Sequence, residues 1–223
     1  MTNVRVAALL LCWLLPAVRP GLAAESTIWT LPPPQTSGGK PLMQALSERE
    51  TVREFRHDAL PLQMLSNLLW AGFGINRPAS GRRTAPSAHD AREIDIYVVT
   101  REGVHVYDAA ANALRLVRAA NIRALTGRQD FVSEAPVNLV YVADFDKLAK
   151  DSEADRMFYA ASDTGFISEN VYLYCASEGL ATMVRAYIDR EALAKAMLLK
   201  PHQHVILAQS VGYPKQAVVP PAQ

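Results

Sequence analysis

The chain has 223 residues, half of them hydrophobic and a fifth charged, with a formal net charge of +1. That balance excludes a disordered or fibrous protein, and 23 basic residues against 22 acidic ones leave no basic surplus for nucleic acid. Two cysteines are too few for a disulfide scaffold.

The first segment reads as a leader. Arg5 precedes an apolar run from Val6 to Leu15, and Pro16 and the small residues Gly21, Ala23 and Ala24 follow. A membrane span needs about 20 apolar residues, and here Pro16, Arg19 and Pro20 interrupt the run. Residues 1–24 are therefore expected to be a cleaved signal peptide, which places the protein in the periplasm or outside the cell without a membrane span. Cleavage removes Arg5, Arg19 and Cys12, turns the net charge slightly negative and leaves Cys175 unable to form an intrachain disulfide. Between apolar neighbours, Cys175 reads as a buried, inert thiol.

Residues 25–39, which include STIWTLPPPQTSGG, suit an extended arm or linker, and the folded domain is expected over residues 40–223. Pro41 opens a short helix bearing Leu42, Met43, Ala45 and Leu46. Pro61 opens a second, with Leu62, Leu65, Leu68 and Leu69 at helical spacing and Gly72 and Gly74 expected to end it. A Pro-Ser loop, RTAPSAHDAR, then leads into a strand over residues 93–99 whose Ile94, Ile96 and Val98 share one face. VHVYDAAANALRLVR predicts a hairpin turning near Asp108 to Asn112, and a short helix over 120–126 stops at Gly127. VNLVYVAD reads as an interior strand, and residues 156–178 as a long helix with wide apolar coverage ended by Gly179. LATMVRAYID reads as a strand into a turn, DREALAKAML as a helix, and HVILAQSVGYP as the last strand. The sum is an α+β fold with a mixed or mostly antiparallel sheet flanked by helices.

Three stretches carry candidate chemistry. In RETVREF, Arg49, Thr51 and Arg53 alternate, so an extended backbone points all three the same way. Two guanidinium forks around a hydroxyl suit a phosphate, while the adjoining Glu50 and Glu54 equally suit a solvated connector. Ser87, Asp90 and Arg92 in the Pro-Ser loop can bind a polar ligand; taken alone, they also read as an ordinary hydrogen-bonded turn. His202 and His204 lack an evident third metal ligand and read as a surface turn entering a strand. Arg82 and Arg83 abut the loop, where phosphate, substrate and solvent are all open to them. Tyr172, Tyr174 and Trp70 read as core. No HExxH, Ser-His-Asp order or GxGxxG after a strand is present, and no dedicated acid, base or metal ligand is assigned.

Taken together, ALSERETVREF, LSNLLWAGFGINR, RTAPSA leading into EIDIYVV, DTGFISENVYLYCASEGLAT and ILAQSVGYP resemble the nitroreductase family of FMN flavoproteins, including its branch of peptide-azoline dehydrogenases. The resemblance runs over nearly all of residues 40–215. It implies that Arg49, Thr51 and Arg53 bind the FMN phosphate with Lys215, that Pro86, Ser87, Ala88 and Asp90 lie beside the flavin, and that Val184, Arg185 and Ala186 present backbone groups near its N5. It also implies an intertwined homodimer with two FMN sites at the interface, to which the apolar helix 156–178 contributes. The implied activity is a ping-pong oxidoreduction at FMN, with a small-molecule donor and a nitro, quinone or related acceptor. An exported protein meets little nicotinamide nucleotide, so a quinol or redox partner is an alternative donor.

The sequence departs from the family pattern at three places. Asp90 stands where members commonly carry Asn, an anion expected to disfavour reduced flavin. Arg185-Ala186-Tyr187 replaces the usual glutamate or glycine near N5, with Arg185 free to offset Asp90 or to reach the phosphate. Lys215 alone replaces a basic pair. These departures keep two other function classes open: an exported FMN-binding or sensing module without turnover, and a dimeric protein that retains only the fold.

Overall fold

The computed structural model describes residues 28–215, so the leader expected at 1–24 lies outside the described residues. In chain order the elements are β1 (Ile28–Thr30), α1 (Leu42–Glu48), α2 (Leu62–Phe73), β2 (Ile75–Arg77), β3 (Arg82–Arg83), β4 (Ile94–Val99), β5 (Val104–Asp108), β6 (Ala113–Arg118), β7 (Val137–Asp144), α3 (Glu153–Glu178), β8 (Ala181–Arg185), α4 (Arg190–Ala196) and β9 (Gln203–Gly212).

Local chemistry explains why these elements begin and end where they do. The β5–β6 hairpin turns where expected because the Asp108 carboxylate accepts from the backbone N–H groups of Ala110 and Ala111, both at 3.1 Å, and Asn112 takes a left-handed conformation. The Ser152 hydroxyl accepts from the Asp155 N–H at the start of α3, and Gly179, at φ 69°, closes its end. Asp189 caps α4 in the same way through the Ala192 N–H.

Seven strands form one sheet in the order β1-β6-β5-β4-β7-β9-β8, every neighbouring pair antiparallel; β2 and β3 form a separate small hairpin. β7 sits near the centre with seven of its eight residues buried, as its β-branched run requires. Leu139 and Tyr141 face a core completed by α2 and α3, whereas Val140 and Val142 face the layer holding Leu193 of α4. β8 is an edge strand, and that free edge positions the candidate site.

Two expectations change. The segment read as a free arm is tied down: β1 pairs with β6, Trp29 stacks on His105 at 4.4 Å, Leu31 is buried, and the Pro32 carbonyl accepts from Ser66 and Asn112. Gly72 does not end α2 but lies within it, where a Cβ would stand 3.2 Å from Val171 of α3; Gly74 is the C-cap. A glycine is kept there because the two helices approach closely. Cys175 is fully buried, and burial drives its thiol far above the usual range. Among the described residues no helix is long and apolar enough to cross a membrane.

Candidate functional site

The segment from Arg49 to Arg56 runs extended beside the end of the sheet. Val52 N–H donates to the Thr182 carbonyl at 3.0 Å, Lys215 N–H to the Glu54 carbonyl at 3.1 Å, and Arg56 N–H to the Tyr213 carbonyl at 2.9 Å. Val52 and Phe55 pack inward beside Ala135 and Ala181, while Thr51 and Arg53 are exposed and Arg49 is half-buried. The Arg49 guanidinium lies over the Tyr172 ring, 5.4 Å from its centre, and Thr51 Oγ1 is 3.1 Å from the Tyr172 hydroxyl. Arg53 instead faces an open hollow of about 590 Å³ that Arg128 and Lys215 also line, along with Glu54, Asp130 and Glu134. Four extended residues span about 13 Å, so Thr51 stands between Arg49, which lies over Tyr172 of α3, and Arg53 at the hollow. Among the described residues neither Arg49 nor Arg53 has an ion pair. Two free guanidinium forks, a hydroxyl and an ammonium are the donor set that a phosphate monoester takes.

Tyr172 links this segment to β8. Its hydroxyl accepts from the Val184 N–H at 3.0 Å, while Thr182, two residues earlier, gives its carbonyl to Val52. Thr182 and Val184 therefore turn their backbone groups away from β9, toward the free edge; just past the strand, the exposed Ala186 gives its carbonyl to the Ile188 N–H at 2.9 Å.

Arg185 neither offsets Asp90 nor reaches for a phosphate. Its side chain is 4% exposed and points into the layer on the α4 side. Its Nε donates to the Thr126 carbonyl at 3.1 Å, and its terminal nitrogens donate to Thr126 Oγ1, Ser210 Oγ and Asn138 Oδ1, each at 2.8 Å. A Cβ at Gly127 would stand 2.5 Å from that Nε, so the glycine leaves room for the arginine. Burial lowers the guanidinium to about 10, which leaves it charged at neutral pH with no carboxylate beside it. Neighbouring side chains on a strand point to opposite faces, so Arg185 cannot share the ligand side with Val184.

The Pro-Ser loop lies on the other flank. His89, Asp90 and Arg92 all adopt left-handed backbone conformations, with φ of 55°, 53° and 52°. For side chains other than glycine this costs on the order of 1 kcal/mol each, so the surroundings must hold the loop. Ser87 Oγ accepts from the Arg92 N–H at 2.8 Å and donates to Glu93 Oε2 at 3.0 Å, and the Ala88 N–H donates to Asp163 Oδ2 at 2.7 Å. Asp90 is not a bare anion. Arg92 grips both its oxygens at 2.9 and 2.7 Å, and this pairing holds the Asp90 carboxyl below the usual range. The expected penalty on a reduced flavin is correspondingly weakened. Pro86 is exposed at the tip. Arg83 serves the fold, donating to the Phe73 carbonyl at 2.9 Å and lying over the Phe73 ring; Arg82 is exposed.

Within the chain these two groups stand apart. Asp163, which anchors the Pro-Ser loop, and Tyr172, which anchors the Arg-Thr-Arg segment, are separated by about 14 Å along the α3 axis and point to opposite flanks of its buried face. The outer face of α3 exposes Met157, Phe158 and Phe166, and α1 exposes Leu42, Met43 and Leu46.

Three site residues escape a reading of the sequence. Tyr172, read as core, is buried but also ties Thr51 and Arg49 to β8. Glu93 and Asp163 drew no notice because a lone Glu before a strand and a lone Asp in a helix carry no motif. His202 is joined by acids from elsewhere in the chain, with Nδ1 3.4 Å from Asp146 and Nε2 3.8 Å from Asp144, whereas His204 packs on Phe145 at 4.2 Å.

An antiparallel sheet with unpaired cations along one free edge and a strained polar loop across a long helix defines an α+β domain suited to a phosphorylated small ligand. The model of the Nitroreductase family matches residues 46–213. A candidate nitroreductase of Methanocaldococcus jannaschii is 31% identical over 183 residues, covering 77% of this chain and 90% of that protein. The crystal structure of a candidate nitroreductase from Ralstonia eutropha JMP134 is 41% identical, covers 92% of this chain and 97% of its own, and superposes with a TM-score of 0.83. The E. coli microcin synthetase McbBCD complex with truncated pro-MccB17 shares the fold, at 23% identity and a TM-score of 0.66 over 73% of this chain and 68% of that one. This chain belongs to the nitroreductase family of oxidoreductases.

Proposed function

We propose that the protein is an exported, homodimeric, FMN-dependent oxidoreductase of small organic molecules. The observation that carries this reading is the unpaired set of Arg49, Thr51 and Arg53, with Lys215 beside them, along the free edge of β8. FMN, when bound, supplies two-electron transfer between donor and acceptor, so the chain needs no nucleophile or acid–base pair of its own. Arg49, Arg53 and Lys215 would hold the phosphate, Thr51 would donate a hydrogen bond, and the edge at Val184 to Ala186 would offer backbone groups to the ring. The Pro-Ser loop, Pro86 to Asp90, would close the site and exclude water. Because α3 separates that loop from the phosphate residues, a second copy is the natural source of the missing half. The exposed apolar residues of α1 and α3 support such a contact.

Donor and acceptor would use the site in turn. Nitro compounds and quinones fit a site whose chemistry belongs to the cofactor. The fold shared with McbBCD supports testing azoline-containing peptides alongside them. Purified protein should gain a flavin spectrum on adding FMN, and NADH, NADPH or a quinol should bleach it; protein that binds no FMN would refute the reading. A second reading, an FMN-binding or sensing module without turnover, draws on Asp90 and its Arg92 partner at the loop. It predicts bound FMN that no donor reduces.

A further inference from the structure

Behind the Pro-Ser loop lie two carboxyl groups that the proposed redox chemistry does not use. Glu93 is fully buried and Asp163 is 3% exposed. Asp163 lies close enough to raise the Glu93 carboxyl by its charge and by hydrogen bonding, and Glu93 Oε1 has no hydrogen-bond partner. Each acid also holds the loop, Glu93 through Ser87 Oγ and Asp163 through the Ala88 N–H.

Among the described residues no cation relieves the pair. The Arg92 guanidinium turns outward to Asp90, and Lys147 bonds the Arg92 carbonyl and Asp95. His89 faces Asp151, and β7 offers the Asp144 N–H to the backbone carbonyl of Glu93 rather than to its side chain. A proton between the two acids is the remaining way to satisfy them.

We propose that Glu93 carries a proton that it donates to Asp163, and that this bridged pair is the latch that positions the Pro-Ser loop. Burial first, with Asp163 adding to it, raises the Glu93 carboxyl to about 7, which puts loss of that proton near neutral pH. With both acids ionised, repulsion parts them, and their anchors on Ser87 and Ala88 part with them. The strained backbone at His89, Asp90 and Arg92 then relaxes out of its left-handed conformation. Glu93 and Asp163 are positioning residues, acting on a ligand only through the loop.

The effect on FMN rests on the function proposed above; the latch itself does not. In the protein without FMN, the carboxyl carbon of Glu93 should titrate near neutrality by NMR, and Asp163→Asn should shift that titration. FMN affinity should fall about tenfold or more between about pH 6 and pH 9 in the wild type and stay flat in Glu93→Gln, whose amide donates to Asp163 at every pH. A Glu93 carbon titrating in the ordinary carboxylate range overturns the latch, as does the same affinity profile in wild type and Glu93→Gln. If no variant binds FMN at any pH, the flavin reading fails and the NMR titration still decides the latch. Should Glu93→Gln not fold, Asp163→Asn takes its place in the affinity measurement.

Discussion

Arg185 and the Glu93–Asp163 pair are buried charges of opposite sign, and the fold accommodates them by different means. Arg185 has no anion, yet four bonds to neutral oxygens of Thr126, Ser210 and Asn138 keep it charged at neutral pH. Among the described residues the two acids have no cation partner, and one oxygen of Glu93 has no hydrogen-bond partner. The guanidinium keeps its proton at neutral pH even when burial lowers it to about 10, so the fold must supply fixed acceptors; a carboxyl can take a proton, so the fold can leave it partly unsatisfied. The β8 side is therefore built to be insensitive to pH, and the loop side to respond to it.

Removing Arg185 tests the first half of that contrast most severely. Arg185→Met should cost about 3 kcal/mol or more, since several buried acceptors lose their only strong donor. Urea denaturation of the variant checks this, and a near-neutral result would mean that the cluster tolerates an apolar side chain. Arg49→Ala and Arg53→Ala should each weaken FMN binding by about 1.5–3 kcal/mol, on the order of tenfold to a hundredfold, with little change in stability. Fluorescence titration with FMN separates the two effects.

The acid pair predicts a slope with a definite sign. Because the folded carboxyl binds its proton more tightly than the unfolded one, stability should fall as pH rises from about 4.5 to about 7 and level off above. The loss is on the order of 3 kcal/mol, and Glu93→Gln should flatten it. Tyr172→Phe leaves the Val184 N–H without its acceptor and should cost about 1 kcal/mol, read from the same denaturation curves. Asp90→Asn, at the exposed end of the loop, should leave stability unchanged within measurement and alter FMN affinity less than either arginine variant; a large gain in turnover would show that Asp90 holds activity back.

How much of this was legible depended on the distance along the chain over which the cause acts. The hairpin at Asp108 to Asn112, the interior strand 137–144, and the long helix ended by Gly179 all follow from neighbouring residues, and all were readable. The alternate spacing of Arg49, Thr51 and Arg53 was readable too, but not that Arg49 and Thr51 meet Tyr172 while Arg53 lines a separate hollow. Gly72 read as a stop because a glycine inside a helix is costly, until Val171 of another helix supplied the reason to keep it. The arm at Ile28 to Pro33 read as a linker because its partners, β6 and α2, lie far along the chain.

By itself the sequence determined the elements, the hydrophobic faces that make β7 central, and the residue types able to hold a phosphate, because periodicity, caps and turn chemistry act over a few residues. Only the tertiary structure decided that Arg185 turns into the core, that Tyr172 joins three segments, and that Glu93 meets Asp163. Those outcomes depend on which distant groups share a buried volume, where an unpaired charge or hydrogen bond is too costly to leave and whatever lies nearest must satisfy it.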